Sequence, residues 1–340
     1  MSQGIRPFYF PTTVAILDDS PDFLANLSLN LDPMLAFRLF DSPSETLAAL
    51  NSEPASAPGP ERFFSVYQHR EEHSFDHHVI DLNMSSIHDE VFNEKRFERF
   101  SVVVVDYDMP EINGLEFCRR IEHHPARKVL LTGKADEKVA VQAFNEGIID
   151  RFVLKQDPNA MTLLQKTIHE MQEDYFQDIA RMMEGALNIG PLHFLRDPSV
   201  AELFRKICTD LKVVEFYLCS SPDGILLLDR DGAATLLVIC NDDAMRAHYE
   251  VAFDNAAPAE LLDELMKGAV VPYFWRSRGL YSREYLDWRS YVHPAQECNG
   301  LQHYRYALVK DTRGMLPAPI FSYQDYLKQL DETGRQRSRV

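Results

Sequence analysis

Val102 to Val105 constrain this chain more than any other stretch. Four consecutive β-branched residues with no polar face are followed at once by Asp106 and a turn-forming run, DYDMPEING. Valine favours extended backbone, and a strand without apolar–polar alternation suits a position covered on both faces, as in a parallel sheet with helices above and below it. In open α/β sheets of that kind the functional crevice lies at the carboxyl ends of the strands, where Asp106 falls. Taken alone, Asp106 reads equally well as one more turn former beside Asp108, Pro110, Asn113 and Gly114.

The flanking chain supplies the context. TTVAIL (12–17) is a short apolar run ending in Asp18 and Asp19, and SPDFLANLSLNL after it has apolar residues at helical spacing. LAFRLF (35–40) reads as a second strand. Ser42, Pro43 and Glu45 then supply an N-cap, a first-turn proline and a first-turn acid for the next helix. Beyond the valines, GLEFCRRIEHH is an amphipathic helix, KVLLTG (128–133) a fourth strand, DEKVAVQAFNEG a helix closed by Gly147, and IIDRFVLK (148–155) a fifth strand. Five such repeats predict an α/β fold: a doubly wound, five-stranded parallel sheet of flavodoxin-like type.

One interruption breaks the rhythm. Where a third repeat is due, NSEPASAPGPE opens an insertion at about 51–100 with the composition of a flexible linker. The remainder reads as something folded, with Ser86 and Asp89 as a capping box ahead of Val91, Phe92, Phe97 and Phe100. Five of the twelve histidines fall here (His69, His73, His77, His78, His88). His69 and His73 have the i, i+4 spacing that can bind a metal, and a solvated face rich in Glu and His gives the same pattern.

In a doubly wound sheet the first and third strands are neighbours, so Asp18, Asp19 and Asp106 are expected in one crevice. Three carboxylates repel one another unless a cation joins them, and a hard dication with oxygen ligands suits the cluster best. Thr132 and Lys155, ending the fourth and fifth strands, put a hydroxyl and an ammonium at the same edge. Together these groups suit a phosphoryl group carried on an aspartate nucleophile.

These residues resemble the receiver domain of two-component response regulators. The acidic pair Asp18 and Asp19, Asp106 in DYDMPEING, Thr132 in LLTGKAD, Phe152 three residues before the lysine, and Lys155 each fall where that family has them. The resemblance covers residues 12 to about 157 apart from the insertion. It implies that Asp19 and Asp106, with the main-chain carbonyl of Asp108, bind Mg2+ while Asp18 assists through water. It further implies that Asp106 accepts a phosphoryl group from a cognate histidine kinase, with Thr132 and Phe152 as the switch pair. Asp106 is favoured over Asp108 as acceptor because the residue directly after the strand projects into the crevice. Gln156 stands where the family usually has proline after the lysine. The insertion is similar in size and position to that of quorum-sensing response regulators of Legionella and related proteobacteria, which implies a pathway of that kind.

Asp157 and Pro158 open a long helical stretch ending near Gly190. Its apolar stripe, Leu164, Ile168, Met171, Tyr175, Ile179, Met182 and Ala186, is spaced nearly as a heptad seam. A helix leaving one domain with such a seam is expected to pair with its copy in a homodimer. From Asp197 the pattern changes to a helix, then the strands VVEFYLC, GILLLD and AATLLVIC with a hairpin turn at Asp231 and Gly232. Helices around DDAMRAHYEVAFD and PAELLDELMKG follow, then YVHPA and HYRYALVKD as strands. This predicts an α+β output domain with an antiparallel sheet. The expected organisation is therefore a receiver at 1–157, a linking dimerisation helix at 158–190, an output domain at 191–333 and a disordered tail at 334–340.

Composition limits what the output half does. With 26 acidic against 15 basic side chains in residues 1–158, and 26 against 20 in residues 159–340, neither half has the basic footprint of a nucleic-acid binder. Direct DNA binding is disfavoured. GGDEF, EAL, HD and Walker motifs are absent, and the acids from Asp223 to Asp231 follow a nuclease-like order without its lysine, so no output enzyme is recognised. VVPYFWRSRGLYSREYLDWRSY stands out, because Trp275, Arg276, Arg278 and Trp288 are the residue types that protein-binding hot spots prefer. A packed, arginine-pinned loop gives the same composition. The expected output is a protein interaction with an unidentified downstream partner; the alternatives are an enzymatic or ligand-sensing domain, or an atypical DNA-binding one. Five unevenly spaced cysteines without a CxxC pair point to a reducing cytoplasm. No apolar run approaches the roughly 20 residues a membrane helix needs.

Overall fold

The computed structural model describes residues 4–52, 63–69, 77–133, 136–183, 191–220, 222–316 and 319–333. Two compact units emerge, and neither is continuous in sequence. One takes its described residues from 11–59, 95–179 and 323–340, the other from 1–10, 60–94 and 180–322.

In the first unit five strands form a wholly parallel sheet in the order Phe37–Phe40, Thr13–Leu17, Phe100–Asp106, Arg127–Thr132, Arg151–Leu154. Every residue of the central Phe100–Asp106 strand is buried. The four valines divide between two cores, as the two-residue period of a strand requires. Val103 and Val105 pack with Leu115, Phe117, Leu130, Ala140 and Ala143 on one face, and Val102 and Val104 with Leu24, Leu27, Val129 and Leu131 on the other. Each such side chain contributes about 1.5–3 kcal/mol on burial, which is why no polar alternation is tolerated in this strand. Ser20 caps the helix Pro21–Asn30 by accepting from the Phe23 amide. Asn113 caps Gly114–Arg120, and Gly147 (φ +72°) follows the helix Glu137–Asn145.

The predicted helix after Asp157 runs from Ala160 to Met183. Its stripe residues Leu164, Ile168 and Met171 lie inside the second core of this same unit, and Tyr175 and Ile179 are buried as well. The side chain of Met182 and residue Ala186 fall outside the described residues. Gln172 fixes the helix further by donating to the carbonyl and hydroxyl of Thr12. The Leu164 to Met171 part of the near-heptad stripe is thus used by packing on the sheet, because an amphipathic helix laid along an α/β sheet needs the same stripe as a coiled-coil strand. A last helix, Tyr323–Glu332, also belongs to this unit. The hydroxyl of Tyr323 donates to the Met34 carbonyl and accepts from the Ala36 amide, and that of Tyr326 bonds Thr13 Oγ1.

The second unit is built on a six-stranded antiparallel sheet ordered Phe8–Tyr9, Val213–Ser220, Asp223–Asp229, Ala234–Asn241, His303–Val309, Gln296–Asn299. The expected hairpin turn is present, with Gly232 at φ +83°. The helices Pro198–Asp210, Asp242–Asp254 and Ala259–Lys267 match their predicted segments. Val292–Pro294 pairs with Val270–Pro272 rather than with the main sheet. The insertion contributes an antiparallel hairpin, Phe64–His69 with His77–Leu82, and a short helix, Met84–Asp89. That helix is capped by Asn83, which accepts from the Ser86 amide, so Ser86 sits within the first turn instead of heading a capping box. The metal-spaced His73 and the tail at 334–340 lie outside the described residues.

Candidate functional site

At the carboxyl edge of the parallel sheet, adjacent strand ends deliver the acids. Asp18 follows Thr13–Leu17, and its amide donates to the Phe40 carbonyl of the neighbouring strand. Its carboxylate is 1% exposed; Oδ1 accepts from the Ser20 amide at 2.9 Å. Asp19 is exposed. Asp106, 5% exposed, ends the central strand. Carboxylate oxygens of Asp18, Asp19 and Asp106 all lie within 4.8 Å of one another. Asp108 is exposed in the turn beyond.

Lys155 reaches into this cluster from beyond the Arg151–Leu154 strand, where its amide donates to the Thr132 carbonyl. Nζ lies 2.6 Å from Asp18 Oδ2 and 2.8 Å from Asp106 Oδ1, and 4.3 Å from the centroid of the Phe23 ring. Burial by itself would lower the lysine, but the bonds to Asp106 and Asp18 hold it above the ordinary lysine range, so it is charged. Burial pushes the Asp106 carboxyl above its usual value, with the Lys155 bond pulling the other way and Asp18 adding repulsion. One ammonium is thus bonded to two carboxylates of a cluster of three, a set suited to a hard dication with oxygen ligands.

Thr132 ends its strand fully buried, and its hydroxyl donates to the Gly133 carbonyl at 3.3 Å. Phe152 is half-buried against the core that holds Val105 and Leu130. Gly114 is obligatory for a steric reason. A Cβ there would stand 2.3 Å from the Asp106 carbonyl oxygen and 2.9 Å from Leu130 Cδ1, so the glycine of DYDMPEING lets the turn fold back against the backbone of Asp106 itself. The sequence reading missed Gly114 in this role and missed Phe23 altogether. The first was signalled by its place in a turn-forming run. The second had no signal, since an aromatic in a first helical turn reads as core.

The arginine–aromatic segment of the second unit is arranged in pairs. Arg276 lies 4.9 Å over the half-buried Trp275 and 5.7 Å from the Tyr291 ring, while Arg289 lies 4.5 Å over the buried Trp288. Arg278 is exposed at φ +55°. Phe274, Tyr281, Tyr285 and Tyr291 meet ring to ring, with Phe274 stacked on Tyr291 and the other pairs tilted or edge-on.

Residues 88–168 match the family model of the response regulator receiver domain. The structure of the Legionella pneumophila response regulator LqsR is 37% identical to this chain, covering 97% of each, with a TM-score of 0.74. Also similar are an adenylate cyclase from Rhodopirellula baltica (21% identity, 53% of this chain and 99% of that one, TM-score 0.35) and a response regulator receiver domain protein from Clostridium thermocellum (17%, 48% and 95%, 0.32). No curated protein matches. No helix among the described residues is long and apolar enough to cross a membrane.

Proposed function

The chain belongs to the two-component response regulators, and on that footing we propose that it accepts a phosphoryl group on Asp106 in a Mg2+-dependent reaction and passes that state on by a protein interaction. The observation that carries this reading is the convergence of Asp18, Asp19, Asp106 and Lys155 at one sheet edge.

A carboxylate oxygen of Asp106 attacks phosphorus on a phosphohistidine of the cognate kinase. The P–N bond breaks as the P–O bond forms, and the imidazole leaves, taking up a proton from water. Asp18, Asp19 and Asp106, with the main-chain carbonyl of Asp108, are the groups that would hold Mg2+, which supplies charge neutralisation on the phosphoryl oxygens. Lys155 supplies the second positive charge, already poised 2.8 Å from the acceptor. Reversal by water breaks the same P–O bond, releases phosphate and restores the carboxylate, so the only catalysis assigned is on the protein's own phosphoryl group. Thr132, whose hydroxyl has only a long bond to Gly133, turns toward the new oxygens and Phe152 moves inward behind it.

The face that changes includes the helix Glu137–Asn145, which exposes Val139, Val141 and Phe144. We assign homodimerisation to this face, because the Leu164, Ile168 and Met171 stripe is already covered. The resemblance of the insertion supports a quorum-sensing pathway, and the five free thiols support a cytoplasmic location. Exposed Arg276 and Arg278 beside Trp275 support a protein-binding output.

Acetyl phosphate with Mg2+ is expected to add one phosphoryl group to the intact mass, with no gain after chelation by EDTA or in Asp106→Asn. Equal uptake by Asp106→Asn would remove the assignment.

A further inference from the structure

Lys155 is a long side chain with about 2 kcal/mol of rotamer entropy to lose, and Gln156 after it does not stiffen the backbone as a proline would. Its ammonium is nevertheless held at three points: Asp18 Oδ2 at 2.6 Å, Asp106 Oδ1 at 2.8 Å and the Phe23 ring at 4.3 Å. Two of these contacts belong to the reacting cluster. An Asp106 oxygen becomes bonded to phosphorus, and Asp18 is among the acids drawn to the dication. Only the ring is unaltered by the chemistry.

The ring is itself fixed. Phe23 sits in the first turn of Pro21–Asn30, its amide bonded to the Ser20 cap, and its side chain packs against the core containing Val14, Leu24 and Leu27. An ammonium over an aromatic face is attracted by the ring's quadrupole, most strongly where water is kept away. Lys155 is three-quarters covered at this point.

We infer that Phe23 is a positioning residue for phosphoryl acceptance: its ring face keeps the Lys155 ammonium beside Asp106 while both carboxylate contacts are being remade. The inference rests on the phosphoryl acceptance proposed above. It assigns no contact between Phe23 and the phosphoryl group, so the ring acts through Lys155 alone.

The test is the rate of phosphoryl uptake from acetyl phosphate, in which the P–O bond to acetate breaks as the bond to Asp106 forms and acetate leaves. Phe23→Leu should slow uptake about 3- to 20-fold, and Phe23→Trp should match or exceed the wild type. Fluorinated phenylalanines at position 23 keep the ring's shape and weaken its face, so uptake should fall stepwise with one, two and three fluorines at an unchanged melting temperature. In a Lys155→Gln background Phe23→Leu should add nothing, an outcome a purely structural role would not produce. Should Phe23→Leu fail to fold, the fluorinated series carries the test by itself. A flat fluorinated series on a reactive wild type, or a full Phe23→Leu effect without Lys155, overturns the inference alone. A wild type that takes up no phosphoryl group overturns the proposed acceptance and this inference together.

Discussion

Asp106 and Lys155 define the residue scale. What the sequence offered was a set of residue types at strand ends, and the strand order turned them into a cluster, because parallel neighbours bring their carboxyl ends to one edge. Asp18, Asp106, Thr132 and Lys155 were all legible in that way. Phe23 was not, since its part depends on which way a lysine 132 positions later reaches. His124 illustrates a second kind of residue that pattern cannot reach. Burial holds it neutral, with its pKa lowered from 6.5 to about 4, and Nδ1 accepts from the Ala126 amide. Between those two values the unfolded chain binds a proton that the folded form refuses, so its contribution to stability is present above pH 6.5 and is lost as pH falls toward 4. Denaturant titrations across that window should show His124→Gln losing less stability than the wild type as pH drops; parallel curves would contradict this.

At the scale of elements, the sequence located most of the strands and helices correctly and did not reveal which partners they take. The apolar stripe of Ala160–Met183 predicted an amphipathic helix, and the helix is there. Periodicity specifies a face but not its partner, and here the partner is the sheet that holds Val102 and Val104. The two-residue strand Phe8–Tyr9 pairs with Phe216 and Tyr217, too short and too distant in sequence for any local pattern. Tyr323–Glu332 is the extreme case, a final helix that returns to the parallel sheet from beyond the whole antiparallel domain. Two phenols anchor it: Tyr323, bonded to Met34 and Ala36, and Tyr326, bonded to Thr13 Oγ1 at 2.6 Å, with Thr13 also donating to the Phe97 carbonyl. Tyr326→Phe removes one such bond at nearly constant volume and should destabilise the protein by about 0.5–1.5 kcal/mol. A variant with an unchanged denaturation midpoint would show that the anchor is apolar packing with Phe97 instead.

For the whole molecule, charge sets the terms of association. A formal net charge of −17 makes two copies repel, and salt screens that repulsion over roughly 10 Å at 0.1 M. If activation rearranges the face around the already exposed Val141 and Phe144, beryllofluoride with Mg2+ should raise the light-scattering mass toward a dimer, and more so as salt increases. A mass that stays monomeric at every salt concentration would refute the dimer assignment. All of this depends on where the phosphoryl group goes. Borohydride reduction of the acetyl-phosphate-treated protein converts a phosphoaspartate to homoserine, and peptide sequencing then reads the position. The account predicts homoserine at Asp106 alone; homoserine at Asp108, or at neither aspartate, would contradict it.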